Sequence, residues 1–197
     1  MKKVFIVDDD EAVCDSLDVL LTSMGLETRV YHSGQDFLDR YDQSPGCLLL
    51  DVRMPGMSGM ELQKRLVELN HQLPIVFISG HGDIPMAVEA MKLGAVDFLP
   101  KPFRDQDLLD CVQKALDRVD AESAQAKQDA NVKAQLDSLT PREREVLGYL
   151  MDGAANKVIA IELNISPRTV EIHRARVMEK MGVRTLPDLV KRVLPFQ

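Results

Sequence analysis

The sequence predicts two folds in tandem. The first is an α/β N-terminal domain on a doubly wound five-stranded parallel sheet of order 2-1-3-4-5. The second is an all-α four-helix C-terminal domain containing a helix-turn-helix. Three observations lead there. Short apolar runs alternate with amphipathic stretches through residues 1–119, the pattern of βαβ units whose strands are buried on both faces. From Thr140 onward the strand-like runs stop and Ser/Thr-Pro helix starts recur. Charge also divides: residues 1–120 carry 12 basic and 21 acidic side chains, net −9, whereas residues 121–197 carry 12 and 10, net +2. Such an asymmetry suits two domains with different partners.

In chain order, the expected strands are "VFIV" (4–7), "ETRVY" (27–31), "GCLLLD" (46–51), "LPIVFIS" (73–79) and "VDFLP" (96–100). Amphipathic segments near residues 11–23, 34–41, 58–70, 84–92 and 105–119 supply the helices between and after them. Asp10 is placed to cap the first helix, and Ser58 with Glu61 three residues later reads as a capping box. Right-handed crossovers leave few topologies for this order, and ligands then sit at the carboxyl ends of the strands.

Residues 120–137, "DAESAQAKQDANVKAQLD", are poor in large apolar side chains and read as a linker, either a helical continuation or a loose tether. The C-terminal domain is expected over 138–197. "TPRE" gives an N-cap Thr140, a proline at the first helical position and Glu143 at the third. "NKVIAIELN" is a short helix closed by Asn164, "SPRT" starts another at Ser166, and "TLPD" starts the last, with Leu186, Leu189, Val190 and Leu194 apolar. Two short helices joined across "NIS" fit a helix-turn-helix.

The chemistry concentrates at strand ends. Asp8 and Asp9 close the first strand and Asp51 closes the third, its neighbour at the switch point of the sheet. Three converging carboxylates repel one another unless a hard divalent cation such as Mg²⁺ sits among them. Ser79 at the end of "VFIS" offers a hydroxyl, and Lys101 after "FLP" offers an ammonium. A carboxylate flanked by a metal, a hydroxyl and a cation is the set that aspartyl phosphorylation requires.

These five positions match, in order, those of the receiver domain of two-component response regulators. Residues 1–119 resemble that domain, and "GHGDIPMAVEAMKLGAVDFLPKPF" resembles its FixJ branch. The resemblance implies Asp51 as phosphoacceptor, with Mg²⁺ held by Asp8, Asp9, Asp51 and the backbone carbonyl of Arg53. It further implies Ser79 and Lys101 on the phosphoryl oxygens, Ser79 and Phe98 as the switch pair, and a cis Lys101–Pro102 peptide. His81, near the mouth of the site, is read as tuning hydrolysis or facing water, and His32 and His71 are given no chemical role.

"LTPREREVLGYLMDGAANKVIAIELNISPRTVEIHRARVMEKMGV" resembles a LuxR-type helix-turn-helix of the NarL/FixJ regulators, with Val158 where many relatives carry Glu. At about 100° per residue, Val170, His173, Val177 and Met181 share the core-facing stripe of the helix from Pro167. Arg168, Glu171, Ile172, Ala175 and Glu179 lie opposite. The expected DNA-binding set is Lys157, Arg168, Thr169, Glu171, Ile172, His173, Arg174, Ala175, Arg176 and Lys180, with Arg174 and Arg176 suited to phosphates and His173 to core or backbone.

The expected function is therefore a phosphorylation-activated transcriptional regulator. A sensor histidine kinase donates the phosphoryl group, promoter DNA and RNA polymerase are further partners, and a homodimer forms on phosphorylation. Chemistry on Asp51 itself is the only catalysis expected. A Mg²⁺-dependent phosphotransferase or phosphatase, and a protein-binding adaptor, are the rival readings; the chain shows no Gly-rich nucleotide loop to favour the former. No apolar run approaches the roughly 20 residues of a membrane span, and Cys14, Cys47 and Cys111 read as small buried hydrophobes, so a cytoplasmic protein is expected.

Overall fold

The computed structural model describes residues 2–80 and 84–196. They form two compact units, Met1–Ser123 and Ala124–Gln197. In the first, β1 (Lys3–Val7), β2 (Glu27–Tyr31), β3 (Gly46–Asp51), β4 (Ile75–Ser79) and β5 (Asp97–Pro100) form one parallel sheet of order β2-β1-β3-β4-β5. Alternation along the strands divides the core into two layers. Val4, Ile6, Leu49, Val76 and Ile78 face α1 (Glu11–Ser23) and the start of α5 (Asp105–Asp137), through Leu17, Leu21, Leu108 and Val112. Phe5, Val7, Leu48, Leu50 and Phe77 face α2 (Gly34–Arg40), α3 (Gly59–Glu68) and α4 (Ile84–Lys92), through Phe37, Leu62, Leu66 and Ala90. Two covered faces explain why the central strands are continuous apolar runs.

Helix starts are set by side chains. Asp10 Oδ1 accepts from the backbone N–H of Ala12 (2.9 Å) and Val13 (3.4 Å), so this third acid of the N-terminal cluster is spent as a cap. Ser58 and Glu61 form the expected capping box at α3. Gly59 follows the cap because nothing larger fits: a Cβ there would lie 2.2 Å from the carbonyl oxygen of Asp51.

The second unit contains α6 (Pro141–Met151), α7 (Asn156–Glu162), α8 (Pro167–Lys180) and α9 (Leu186–Val193), then a 3₁₀ turn over Leu194–Phe196. Its core joins Val146, Leu150, Ile159, Val170, Val177, Met181, Leu189 and Val193. Residues 120–137, expected as a linker, are helical throughout as part of α5. From Ala124 they belong to the second unit, and Val132 is buried in its core with Leu136 beside it. Of the apolar residues named in the last helix, Leu189 is buried in this core. Leu194 is exposed and Val193 buried, because the helix gives way to the tighter 3₁₀ turn at that point.

Candidate functional site

Register builds the acidic site. β1 and β3 pair with Val7 opposite Leu50, so Asp8 and Asp51 emerge side by side at the carboxyl edge of the sheet. Lys101 follows β5 on the far side of β4, and its backbone N–H donates to the Ser79 carbonyl (2.8 Å). The Lys101–Pro102 peptide is cis, as the resemblance implied. From there Lys101 Nζ donates to Asp8 Oδ2 (2.8 Å) and to Asp51 Oδ1 (2.9 Å). The remaining oxygens accept backbone N–H groups: Asp8 Oδ1 from Asp10 (3.0 Å) and Asp51 Oδ2 from Arg53 (2.6 Å).

The two acids are 3% and 8% exposed, so two carboxylates share one ammonium with little solvent. Burial pushes the Asp51 carboxyl above its ordinary value, although the hydrogen bond and charge of Lys101 pull the other way. Burial opposes the charge of Lys101, but its hydrogen bonds to Asp8 and Asp51 outweigh that and hold it above the usual lysine range. The Cys14 thiol donates to the Asp8 carbonyl (3.4 Å) and is pushed up to about 11 by burial first, then by the Asp8 charge.

The expected trio does not close. Asp8 and Asp51 meet through Lys101, whereas Asp9 is exposed, and among the described residues no three His, Cys, Asp or Glu side chains gather to hold a metal ion. Lys101 is the cation beside the pair. The donor set nevertheless fits Mg²⁺. The buried pair keeps a net negative charge beside one lysine, an exposed third acid adjoins it, and among the described residues the Arg53 carbonyl accepts no hydrogen bond.

Ser79 is buried at the end of β4, one strand from Asp51. Phe98 on β5 is half-buried, its ring 6.1 Å from that of Phe77. The reading of His81 falls outside the described residues. His32 Nδ1 lies 4.0 Å from Cys14 Sγ, and the His71 ring stands edge-on to Tyr41 at 5.6 Å.

In the second unit, α7 closes at Asn164, which adopts φ 53°, and the Ile165 N–H reaches back to the Ala160 carbonyl (3.0 Å). Ser166 then caps α8, its oxygen taking the Thr169 N–H at 3.1 Å. Val170 and Val177 of α8 and the following Met181 are fully buried, His173 is half-buried, and Arg168, Glu171, Ile172, Ala175, Arg176 and Glu179 are exposed. Lys157 is exposed at the start of α7. Arg174 Nη1 donates to Asn156 Oδ1 (3.2 Å), a positioning contact that the sequence reading missed.

Lys180, expected on DNA, is already engaged. Its Nζ donates to Glu143 Oε2 (2.7 Å) and to the Ser138 carbonyl (2.9 Å), tying the end of α8 to the start of α6. Glu143 is both the third residue of the Thr140 capping box and a buried counter-ion. The spacing in "TPRE" signals the first role but not the second.

A buried acid pair clamped by lysine at the edge of a 2-1-3-4-5 sheet, together with a helix-turn-helix, defines a two-domain signalling regulator. The chain belongs to the response regulators: residues 4–113 match the response regulator receiver domain, and residues 137–193 match the luxR family of bacterial regulatory proteins. It is 48% identical to the response regulator protein TmoT of Ectopseudomonas mendocina over 189 residues, covering 95% of this chain and 86% of TmoT. It is 46% identical to the transcriptional regulatory protein FixJ of Rhizobium meliloti over 192 residues, covering 97% and 94%. Among solved structures, the response regulator StyR matches with a TM-score of 0.85 and 44% identity over 99% of both chains. Full-length FixJ from B. japonicum matches with a TM-score of 0.61 and 44% identity over 98% of this chain and 96% of that one. Among the described residues no helix is long and apolar enough to cross a membrane.

Proposed function

We propose that this response regulator accepts a phosphoryl group on Asp51 from a sensor histidine kinase and thereby changes its affinity for promoter DNA. The observation that carries the reading is the clamp of Lys101 on Asp8 and Asp51 at the switch point of the sheet. Asp51 keeps a carboxylate oxygen there in a nearly dry setting, where a positioned nucleophile and fixed cations do most of the work of phosphoryl transfer.

Asp8, Asp9, Asp51 and the Arg53 carbonyl are the residues that would hold Mg²⁺. Bound there, Mg²⁺ would supply positive charge against the phosphoryl oxygens. Lys101 would transfer one hydrogen bond from Asp51 to a phosphoryl oxygen, and the Ser79 hydroxyl would donate to another. Movement of Ser79 lets Phe98 turn inward, which alters the surface of α4 and β5. Ile84, Val88 and Met91 of α4 are exposed large apolar residues at helical spacing, which supports a dimer formed on this face. Two copies then present two α8 helices to a two-fold DNA site. The coupling required is only a few kcal/mol, since a population shift follows the difference in affinity for two states.

Acetyl phosphate with Mg²⁺ should label the full chain on a single residue, and Asp51→Asn should take no label. DNA affinity measured with and without beryllofluoride and Mg²⁺ tests the switch. Label retained in Asp51→Asn, or equal affinities in the two states, refutes the reading.

A further inference from the structure

The exposed face of α8 poses an electrostatic problem. Glu171 stands in the middle of it, with Arg168 three residues before and Ala175 four after, so these residues and Ile172 share one patch of helix surface. Among the described residues Glu171 makes no ion pair and no side-chain hydrogen bond, and neither does Arg168. A lone carboxylate carried into a groove between phosphates is repelled unless it finds a donor there. Beside it Ile172 is 47% exposed, a branched apolar side chain that gains nothing from water.

In the major groove the two features have a common solution. The cytosine N4 amino group is the donor that Glu accepts from, and the thymine 5-methyl is the apolar group that aliphatic side chains contact. Arg174, held by Asn156, and Arg176, which makes no ion pair among the described residues, flank the patch and fix it over phosphates without reading sequence.

We propose that α8 selects a pyrimidine pair in each half-site, with Glu171 accepting from a cytosine amino group and Ile172, backed by Ala175, packing on the methyl of an adjacent thymine. The proposal rests on the DNA-binding reading above and adds which base edges are read.

The test uses the full chain, activated with beryllofluoride and Mg²⁺. Bound duplexes are selected from a random pool, and each thymine of the selected site is then replaced singly by deoxyuridine, which lacks only the methyl. One replacement per half-site should weaken binding roughly threefold to tenfold, the scale of one buried methyl or one good base contact. Ile172→Ala should bind the thymine duplex more weakly and show no further loss with uridine at that position. Glu171→Ala should relax selection at one neighbouring cytosine while leaving the rest of the site unchanged. Arg176→Ala should weaken all duplexes about equally.

A uridine penalty that persists in Ile172→Ala, the absence of any penalty in the native protein, or an unaltered cytosine preference in Glu171→Ala overturns the assignment while DNA binding stands. Failure to enrich any duplex overturns the DNA-binding reading itself. Circular dichroism melting of each variant excludes unfolding as the cause, since all three side chains are exposed.

Discussion

Removing Glu143 should unlock the second unit from its N-terminal side. The residue is 2% exposed, yet ionised: its oxygen accepts from Lys180 Nζ at 2.7 Å and from the Thr140 N–H at 2.9 Å. Those contacts, the lysine bond first and the Thr140 N–H next, hold its carboxyl down from the usual 4.5 to about 2. Glu143→Ala deletes half of a capping box, a loss of about 1 kcal/mol, and a charge-assisted hydrogen bond of about 1.5–3 kcal/mol. Lys180 keeps the Ser138 carbonyl at 2.9 Å, which limits the total to about 2–4 kcal/mol. For a unit of this size each kcal/mol moves the melting temperature by about 4–8 °C. Glu143→Gln retains the Thr140 contact and loses only the charge, so it should fall between. Because the folded value lies below the unfolded one, the stabilisation is complete above pH 4.5 and fades as pH drops through about 2. Thermal unfolding followed by circular dichroism at pH 7 and at pH 3 measures the gap, and hydrogen exchange over α6 and α8 localises it. An alanine variant that melts with the native protein at pH 7, or a gap that does not shrink on acidification, would refute the argument.

Two further perturbations probe the first unit. Lys101→Met leaves Asp8 and Asp51 buried and facing each other, so stability at pH 7 should drop by about 3–5 kcal/mol. Without the lysine, burial alone acts on the Asp51 carboxyl and pushes it further above its ordinary value; its ionised form is then penalised, and the deficit narrows as pH falls toward about 4. Urea unfolding at pH 5 and pH 7.5 checks it, and a deficit independent of pH counts against the clamp. Gly59→Ala should cost about 1–3 kcal/mol and slow acetyl phosphate labelling of Asp51, since the added Cβ collides with the Asp51 carbonyl at 2.2 Å. Gly148→Ala on α6, where a Cβ meets nothing within 4 Å, should instead raise the melting temperature. Equal effects of the two glycine variants would sink that contrast.

Much of the fold was legible because it depends on local signals that act in the same direction. "GCLLLD" is apolar up to its last residue because β3 is covered on both faces, and its terminal acid marks the sheet edge where ligands belong. Asp10, Ser58, Thr140 and Ser166 announced their helices because a cap is a contact within three residues. What escaped notice was non-local. The partnership of Glu143 with Lys180 spans 37 residues, and that of Arg174 with Asn156 spans 18. Composition told only that Lys180 is basic and lies at the end of α8. Whether a basic side chain faces phosphate or an internal acid is decided by packing. Docking of Val132 in the C-terminal core was hidden for a similar reason, since one valine in a polar stretch carries little pattern.

The acidic site shows the same division within a handful of atoms. That Asp8 and Asp51 adjoin follows from strand order, because the order 2-1-3-4-5 sets β1 beside β3. That Lys101 lies between them does not: it depends on how far the chain after β5 turns back over β4, which the Lys101 N–H bond to Ser79 fixes. With the ammonium in place, the buried pair retains one uncompensated negative charge and Asp9 has no reason to fold inward. A divalent ion entering beside the pair would restore neutrality and draw in Asp9, whereas a monovalent ion would leave Asp9 without compensation. Charge counting at the strand ends therefore favours a doubly charged cation here, and a further basic residue in place of Asp9 would remove that preference.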